Sequence, residues 1–260
     1  MDTSRGGAHY PVGVQGFGVD IGGSGIKGCL VDLEKGRLIG ERLRIETPQP
    51  SAPGPVYAAV AEIVAHFGWT DRVGVTFPGV MKRGVAHTAA NVDKGWIGTD
   101  VDAGLDELIP GTVETLNDAD AAGIAEMRYG AGVGRDGVVL MLTFGTGIGS
   151  ALFVDGHLVP NTEFGHIQVD GEDGERRASA AAREREELDY PTWARRVDRY
   201  LDVLEAGVWP DLIIVGGGVS KKAHKWVPLL STRTPVVPAQ LLNDAGIVGA
   251  ALTAHEKPDH

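Results

Sequence analysis

The chain has 260 residues, 43% hydrophobic and 23% charged, enough for one large domain or for two lobes with real cores. Its 24 basic and 35 acidic residues leave a net charge of −11, which argues against nucleic acid or an anionic membrane as a partner, and no apolar run reaches the length of a membrane span. A single cysteine, Cys29, excludes an internal disulfide and a cysteine-built zinc site; with no signal-peptide core at the N-terminus, it points to the cytoplasm.

Residues 1–15 are polar and Gly-rich and read as a frayed leader, too short for a helix-turn-helix domain. Residues 17–21 form a short apolar run that reads as a buried strand, and the chain then breaks into Gly22, Gly23, Ser24 and Gly25 before returning as a second strand from Gly28. Glycines there let the chain turn tightly and let backbone N–H groups approach an anion. Asp20, just ahead of the turn, is placed to hold a hydrated Mg²⁺ against phosphate oxygens. Lys27 reads equally as a phosphate neighbour or as a strand-edge lysine. The turn joins two strands, so it is neither a dinucleotide fingerprint, which opens a helix, nor a Walker loop.

A third strand is expected over 38–45, a proline-rich connection over 47–55, and an amphipathic helix over 56–67 from the spacing of Val56, Val60, Ile63, Val64 and Phe67. Residues 73–77 read as a buried strand. A loop over 87–98 carries Asn91 and Trp96, and a helix follows near 102–108. The strand expected over 112–116 delivers Asn117 and Asp118 at its C-terminal end, where α/β sheets gather ligands. An alanine-rich helix over 119–129 stops at Gly130.

The second half repeats the first. An apolar strand over 137–143 runs into Phe144-Gly-Thr-Gly-Ile-Gly149, and a strand returns over 150–154. Two such units suggest two lobes of related topology facing each other across a cleft. Residues 170–187 read as loop and the start of a helix, 189–206 as a helix with Pro191 in its first turn, and 211–215 as a strand ending in Gly216, Gly217 and Gly218. Lys221 and Lys222 follow. A small-residue helix over 245–255 is expected to pack back across the lobes.

Five stretches carry a resemblance: Asp20-Ile-Gly-Gly-Ser-Gly-Ile-Lys27, Asn117-Asp-Ala-Asp120, Thr143-Phe-Gly-Thr-Gly-Ile-Gly149, Glu163-Phe-Gly-His166 and Ile214-Val-Gly-Gly-Gly218. In this order they resemble the ROK family of sugar kinases and repressors. The resemblance implies an α/β, two-lobed sugar kinase/actin-like ATPase (ribonuclease H-like) fold with an inter-lobe cleft. The lobes would be residues 1–117 and 118–244, with the helix over 245–260 returning to the first. It makes Asp118 the general base for phosphoryl transfer to an alcohol, against the alternative of a helix N-cap at Asp118 or Asp120. It makes Asn91, Asn117, Glu163 and His166 sugar ligands, with Glu184 a further candidate that reads as well as a solvated charge in an Arg/Glu run. Gly22, Gly23, Ser24, Gly25, Thr143, Gly145, Thr146, Gly147, Gly217 and Gly218 would contact the phosphate donor.

Most members of the family follow this histidine with a cysteine cluster that holds structural zinc. No cysteine lies between His166 and Leu188, so no zinc site is expected. In this, and in Gly216-Gly-Gly-Val-Ser-Lys-Lys222 and Thr234-Pro-Val-Val-Pro-Ala-Gln240, the chain looks like the zinc-less bacterial polyphosphate glucokinases. That likeness implies glucose, and in some members mannose, as acceptor, inorganic polyphosphate and ATP as donors, Mg²⁺ as cofactor and a homodimer. A polyphosphate needs a basic track and no base pocket; Lys221, Lys222, Lys225 and Arg233 would supply one, or are solvent-facing charges. An ATP-only hexokinase or N-acylhexosamine kinase of the same family shares the motifs. A sugar-sensing repressor and an actin-like filament protein fit them less well.

Overall fold

A computed structural model describes residues 13–258, so most of the expected leader lies outside the described residues; Gln15 already belongs to the first strand. In chain order the first half comprises β1 (Gln15–Ile21), β2 (Ile26–Asp32), β3 (Arg37–Ile45), α1 (Pro53–Phe67), β4 (Val73–Phe77), a small hairpin of β5 (Met81–Lys82) and β6 (Val85–Ala86), α2 (Val101–Asp106) and β7 (Val113–Asn117). The second half comprises α3 (Asp118–Tyr129), β8 (Val138–Phe144), β9 (Ile148–Val154), β10 (His157–Val159), a hairpin of β11 (Gln168–Val169) and β12 (Glu172–Asp173), α4 (Gly174–Ala178), α5 (Ala180–Arg185), α6 (Tyr190–Val208), β13 (Leu212–Gly216), β14 (Val236–Pro238) and α7 (Ala245–Glu256).

These strands build two five-stranded sheets of matching order, β3-β2-β1-β4-β7 and β10-β9-β8-β13-β14. In each, a glycine-turn hairpin is antiparallel (β1 with β2, β8 with β9) and the strand on its other side is parallel (β4 and β13). The sequence repeat is therefore a repeat of topology. Between 170 and 187 a hairpin and two short helices replace the expected loop. After Gly216 the chain runs as a 3₁₀ turn over Gly218–Lys225, and β14 is an edge strand of three residues, too short to announce itself by pattern.

One core lies between the first sheet and α1, with Phe17, Ile63, Phe77 and Trp96 fully buried. Another packs the second sheet on α6, where Phe144, Trp193 and Trp226 meet edge to face. A third joins the halves: Cys29 and Val31 from β2, Ala122 and Ala125 from α3, Met141 and Phe153 from the second sheet, and Ile247 and Val248 from α7. Helix α7 rests on β1 and β4 and against α3. The fit is close enough that a methyl group at Gly74 would overlap the Ala250 carbonyl, and one at Gly249 the Ala121 carbonyl.

Candidate active site

The first glycine turn closes through a hydrogen bond from Gly22 N–H to the Gly25 carbonyl (3.1 Å), and Arg44 braces it by donating to the Ser24 carbonyl (2.8 Å). Gly23 and Ser24 are exposed at its tip, where the backbone of Asn91 lies against Gly23. Asn91 is itself exposed and holds a left-handed φ of 60°. At the end of β1, Asp20 accepts a hydrogen bond from the Thr76 hydroxyl on β4 (2.8 Å), and its second oxygen lies 3.5 Å from Lys27 Nζ, its cross-strand partner on β2. Lys27 thus answers Asp20 directly, a pairing the alternation of the strands fixes.

Asn117 ends β7 and caps α3: its side-chain oxygen accepts from the N–H groups of Ala119 (2.8 Å) and Asp120 (3.0 Å). The cap is therefore neither Asp118 nor Asp120. Asn117 also donates to the Gly79 carbonyl (3.1 Å) and is buried, so one amide hydrogen is all it has left for a ligand. Capping at Asn117 leaves Asp118 as the first helical residue, with only its Oδ1 bonded, to Ala119 N–H (2.8 Å).

The Asp118 side chain is open to solvent but flanked by protein, and desolvation lifts its pKa to about 7. The nearby charge of Asp20 pushes the same way, the Ala119 hydrogen bond opposes, and Glu163 and Asp120 add to the rise. Asp120 points the other way, into the protein. Its Oδ2 accepts from Asn161 N–H (2.8 Å), its Oδ1 has no partner, and burial followed by the charge of Glu163 raises its pKa to about 7 as well.

Glu163 and His166 bracket a short 3₁₀ turn, Phe164–His166, with His166 Nε2 3.7 Å from Glu163. Two acids that the sequence reading passed over complete the group: Asp173, bonded to His166 Nδ1 at 3.2 Å, and Glu175, 3.9 Å from the same nitrogen. Burial alone would lower the His166 pKa, but the Asp173 hydrogen bond and the charges of Glu175, Asp173 and Glu163 outweigh it and raise it. Burial, then Glu175, raises Glu163, with His166 opposing. Glu184 is exposed on α5, and no contact joins it to this group among the described residues. Asp173 and Glu175 were hidden in Asp170-Gly-Glu-Asp-Gly-Glu175, an acid-rich, glycine-broken run of the kind that usually marks a solvated loop.

The second glycine turn reaches both groups. Glu175 accepts from Ile148 N–H (3.1 Å) at one end of it, and a side chain at Gly149 would strike Ala119, the residue after Asp118. Gly145 and Thr146 are exposed at the tip and Thr143 is half-buried below it. The third turn adjoins: Gly217, at φ 80°, sits so close to Phe144 that only a glycine fits, and Gly218 is open. Lys221, Lys222 and Lys225 are exposed on the following 3₁₀ turn. Arg233 stacks on Trp209 at 3.7 Å and lies 3.9 Å from Glu205.

This arrangement suits transfer of a phosphoryl group to a hydroxyl. Glycine turns with exposed tips adjoin a carboxylate of near-neutral pKa, and a cluster of acids and a histidine able to grip a polyol acts on it. His166, Asp173 and Glu175 are also close enough to share a metal ion, and Asp20 offers an oxygen ligand of the kind Mg²⁺ takes alongside phosphate and water.

Comparison with known proteins agrees. The model of the ROK family matches residues 16–185. The polyphosphate glucokinase of Mycobacterium tuberculosis is 55% identical over 246 residues, covering 94% of this chain and 93% of the other. The inorganic polyphosphate/ATP-glucomannokinase from Arthrobacter sp. strain KM superposes with a TM-score of 0.89 at 53% identity, over 93% of this chain and 98% of that one. A ROK family glucokinase from Streptomyces griseus, solved with glucose and AMPPNP, gives 0.80 at 26% identity, over 94% of this chain and all of that one (100%).

Proposed function

The chain belongs to the ROK family, with its sugar kinase/actin-like ATPase fold, and from that premise we infer that it moves the terminal phosphoryl group of inorganic polyphosphate to the 6-hydroxyl of glucose, giving glucose 6-phosphate. It is a polyphosphate-dependent glucokinase. The observation that carries the mechanism is that Asp118 lies within electrostatic reach of both Asp20 and Glu163, each of which raises its pKa; in this reading they mark the donor and the sugar side.

Glucose is gripped by Glu163, His166 and Glu175, with Asn91 and the remaining N–H of Asn117 in reach of its other hydroxyls. Glu175 takes the place in this scheme that Glu184 held on sequence grounds, because it lies within 3.9 Å of His166 and also holds the Ile148 N–H of the second glycine turn. Asp118 removes the proton from the attacking hydroxyl. A carboxylate that titrates near neutrality is matched to that task. The N–H groups of the Gly22–Gly25 and Gly145–Gly147 turns other than those of Gly22 and Gly145, which close the turns, balance the charge of the donor phosphates together with Gly217 and Gly218. Asp20, held by Thr76 and Lys27, fits a Mg²⁺ bound through water, which when present neutralises phosphate charge. Residues 1–117 and 118–244 are read as the two bodies that close on the substrates and exclude water.

ATP serves as a second donor in this reading, supported by the likeness to a polyphosphate/ATP enzyme and to a glucokinase solved with AMPPNP. Mannose as a second acceptor, a homodimer and a cytoplasmic location complete it. No helix among the described residues is long and apolar enough to cross a membrane. The deciding experiment supplies glucose and purified polyphosphate, with nucleotide removed enzymatically, and measures glucose 6-phosphate. Product formation at a rate comparable to that with ATP is expected, whereas product with ATP alone would reduce the protein to a nucleotide-dependent hexokinase.

A further inference from the structure

A second concentration of positive charge lies beside the donor turn, on α4, α5 and α6. Arg176, Arg177, Arg185 and Arg196 line an open recess of about 750 Å³. A smaller one of about 270 Å³ next to it shares Arg177 and Arg196 and adds Arg195 and Arg199. Six guanidinium groups thus face three carboxylates, Asp170, Glu172 and Glu186, in a molecule whose net charge is −11. The other acids of this segment are engaged elsewhere or stand outside the recesses. Asp173 and Glu175 turn to His166, Asp198 binds Ser231, and Glu184 and Glu187 line neither recess; Asp189, which caps α6, and Asp202 also line neither but act on Arg195 and Arg199 from beside them.

The carboxylates present hold the arginines apart. Asp170 takes Arg199 (2.7 Å) and lies 3.7 Å from Arg177, and Glu186 bridges Arg185 (3.0 Å) and Arg196 (2.6 Å). The side chain of Arg176 has no carboxylate partner among the described residues, while Arg195 donates to the Thr192 hydroxyl (3.1 Å) and acts on the charge of Asp189. The basic groups are all arginine, whose planar fork matches phosphate oxygens in pairs. The recess is also tied to the donor site. The N–H of Ala181 on α5 donates to the Gly145 carbonyl of the second glycine turn (3.0 Å), and Arg185 lies one helical turn further on, about 6 Å along the axis.

We propose that this arginine-lined recess holds an outlying stretch of the polyphosphate chain while the chain's end reacts beside Asp118. The inference rests on polyphosphate being a donor, and it adds a second contact that a short donor or ATP does not reach. Its physical consequence is avidity: a long chain anchored here is kept at high local concentration over the Gly145 turn.

The test uses the full-length Arg176→Gln/Arg185→Gln double variant, with long-chain polyphosphate, tripolyphosphate and ATP as donors. Expected are a rise of about fivefold in KM for the long chain and a salt dependence of its binding shallower by about two ions, with tripolyphosphate and ATP kinetics unchanged. Glu172→Gln, which removes a competing carboxylate, lowers the KM for the long chain. Unchanged long-chain KM in the double variant, or an equal rise for tripolyphosphate, overturns the proposal. Should the double variant lose ATP turnover through misfolding, Glu172→Gln decides, and the absence of tightening is then the overturning result. Wild-type protein that turns over ATP but no polyphosphate of any length sinks the donor reading and this site with it. Turnover with both donors and an unaltered double variant sinks this site alone.

Discussion

The side chain of Asn161 clasps the backbone of Met81 at both ends, accepting from its N–H and donating to its carbonyl, each at 2.8 Å. Met81 belongs to the hairpin that follows the first sheet's β4, whereas Asn161 leads into Glu163 and His166, and its own N–H is held by Asp120 on α3. The loop that carries Glu163 and His166 is therefore pinned from both halves of the chain. Asn161→Ala removes two hydrogen bonds and is expected to cost about 1–2 kcal/mol of stability and to raise KM for glucose about tenfold with kcat largely kept. Steady-state kinetics with varied glucose separate the two constants; a fall in kcat at unchanged KM would contradict the positioning role.

Asp118→Asn is expected to lower kcat by roughly 10²–10⁴-fold while glucose binding, followed by calorimetry, persists. In the wild type, kcat/KM for glucose rises with pH and levels off above about pH 7, because the base works only when ionised and its pKa is lifted to about 7. A near-normal rate in the variant, or an acid limb centred near pH 4, removes Asp118 from this role.

Asp120 makes a prediction about stability. Folded, it keeps its proton up to about pH 7; in the unfolded chain it loses it near its ordinary value of 3.8. The folded state thus binds the extra proton between those values, and this group's contribution is complete below about pH 4 and is lost as pH rises through 7. Asp120→Asn preserves the acceptor for Asn161 and abolishes the titration. Relative to wild type it is expected to gain on the order of 2 kcal/mol between pH 5 and pH 8. Thermal unfolding at the two pH values measures this, and parallel curves for the two proteins would refute it.

Lys221 and Lys222 follow the third glycine turn and are exposed. The Lys221→Ala/Lys222→Ala variant is expected to weaken polyphosphate about threefold to tenfold and ATP by less than twofold. Donor competition assays read the difference. Equal losses for both donors would return these lysines to the role of solvated surface charges.

The repeat of strand, glycine turn and strand was legible because both hairpins are buried apolar runs broken by several glycines and followed at once by a returning apolar strand. The place of Asp118 at a strand–helix junction was legible for a related reason: a strand of five residues, Val113–Asn117, runs without a linker into a helix. The division of labour within Asn117-Asp-Ala-Asp120 was not legible. Which of three adjacent cap-forming side chains turns back on the helix depends on Gly79 and Asn161, distant in sequence, which hold Asn117 and Asp120 respectively. Glu175 and Asp173 were missed because their partner, His166, is reached only through the small hairpin that folds the acid-rich run back on itself.

The seat of α7 on the first sheet has a consequence for how the protein is made. Gly18 on β1 lies directly under Ile247, so the first strand of the described fold waits for a segment synthesised much later. While the ribosome is still at work, the apolar back of β1 and β4 is bare, and the chain is then vulnerable to sticking to its neighbours. A stop introduced ahead of Ala245 freezes that moment permanently, leaving the phosphate turns written in full but with no backing to hold them.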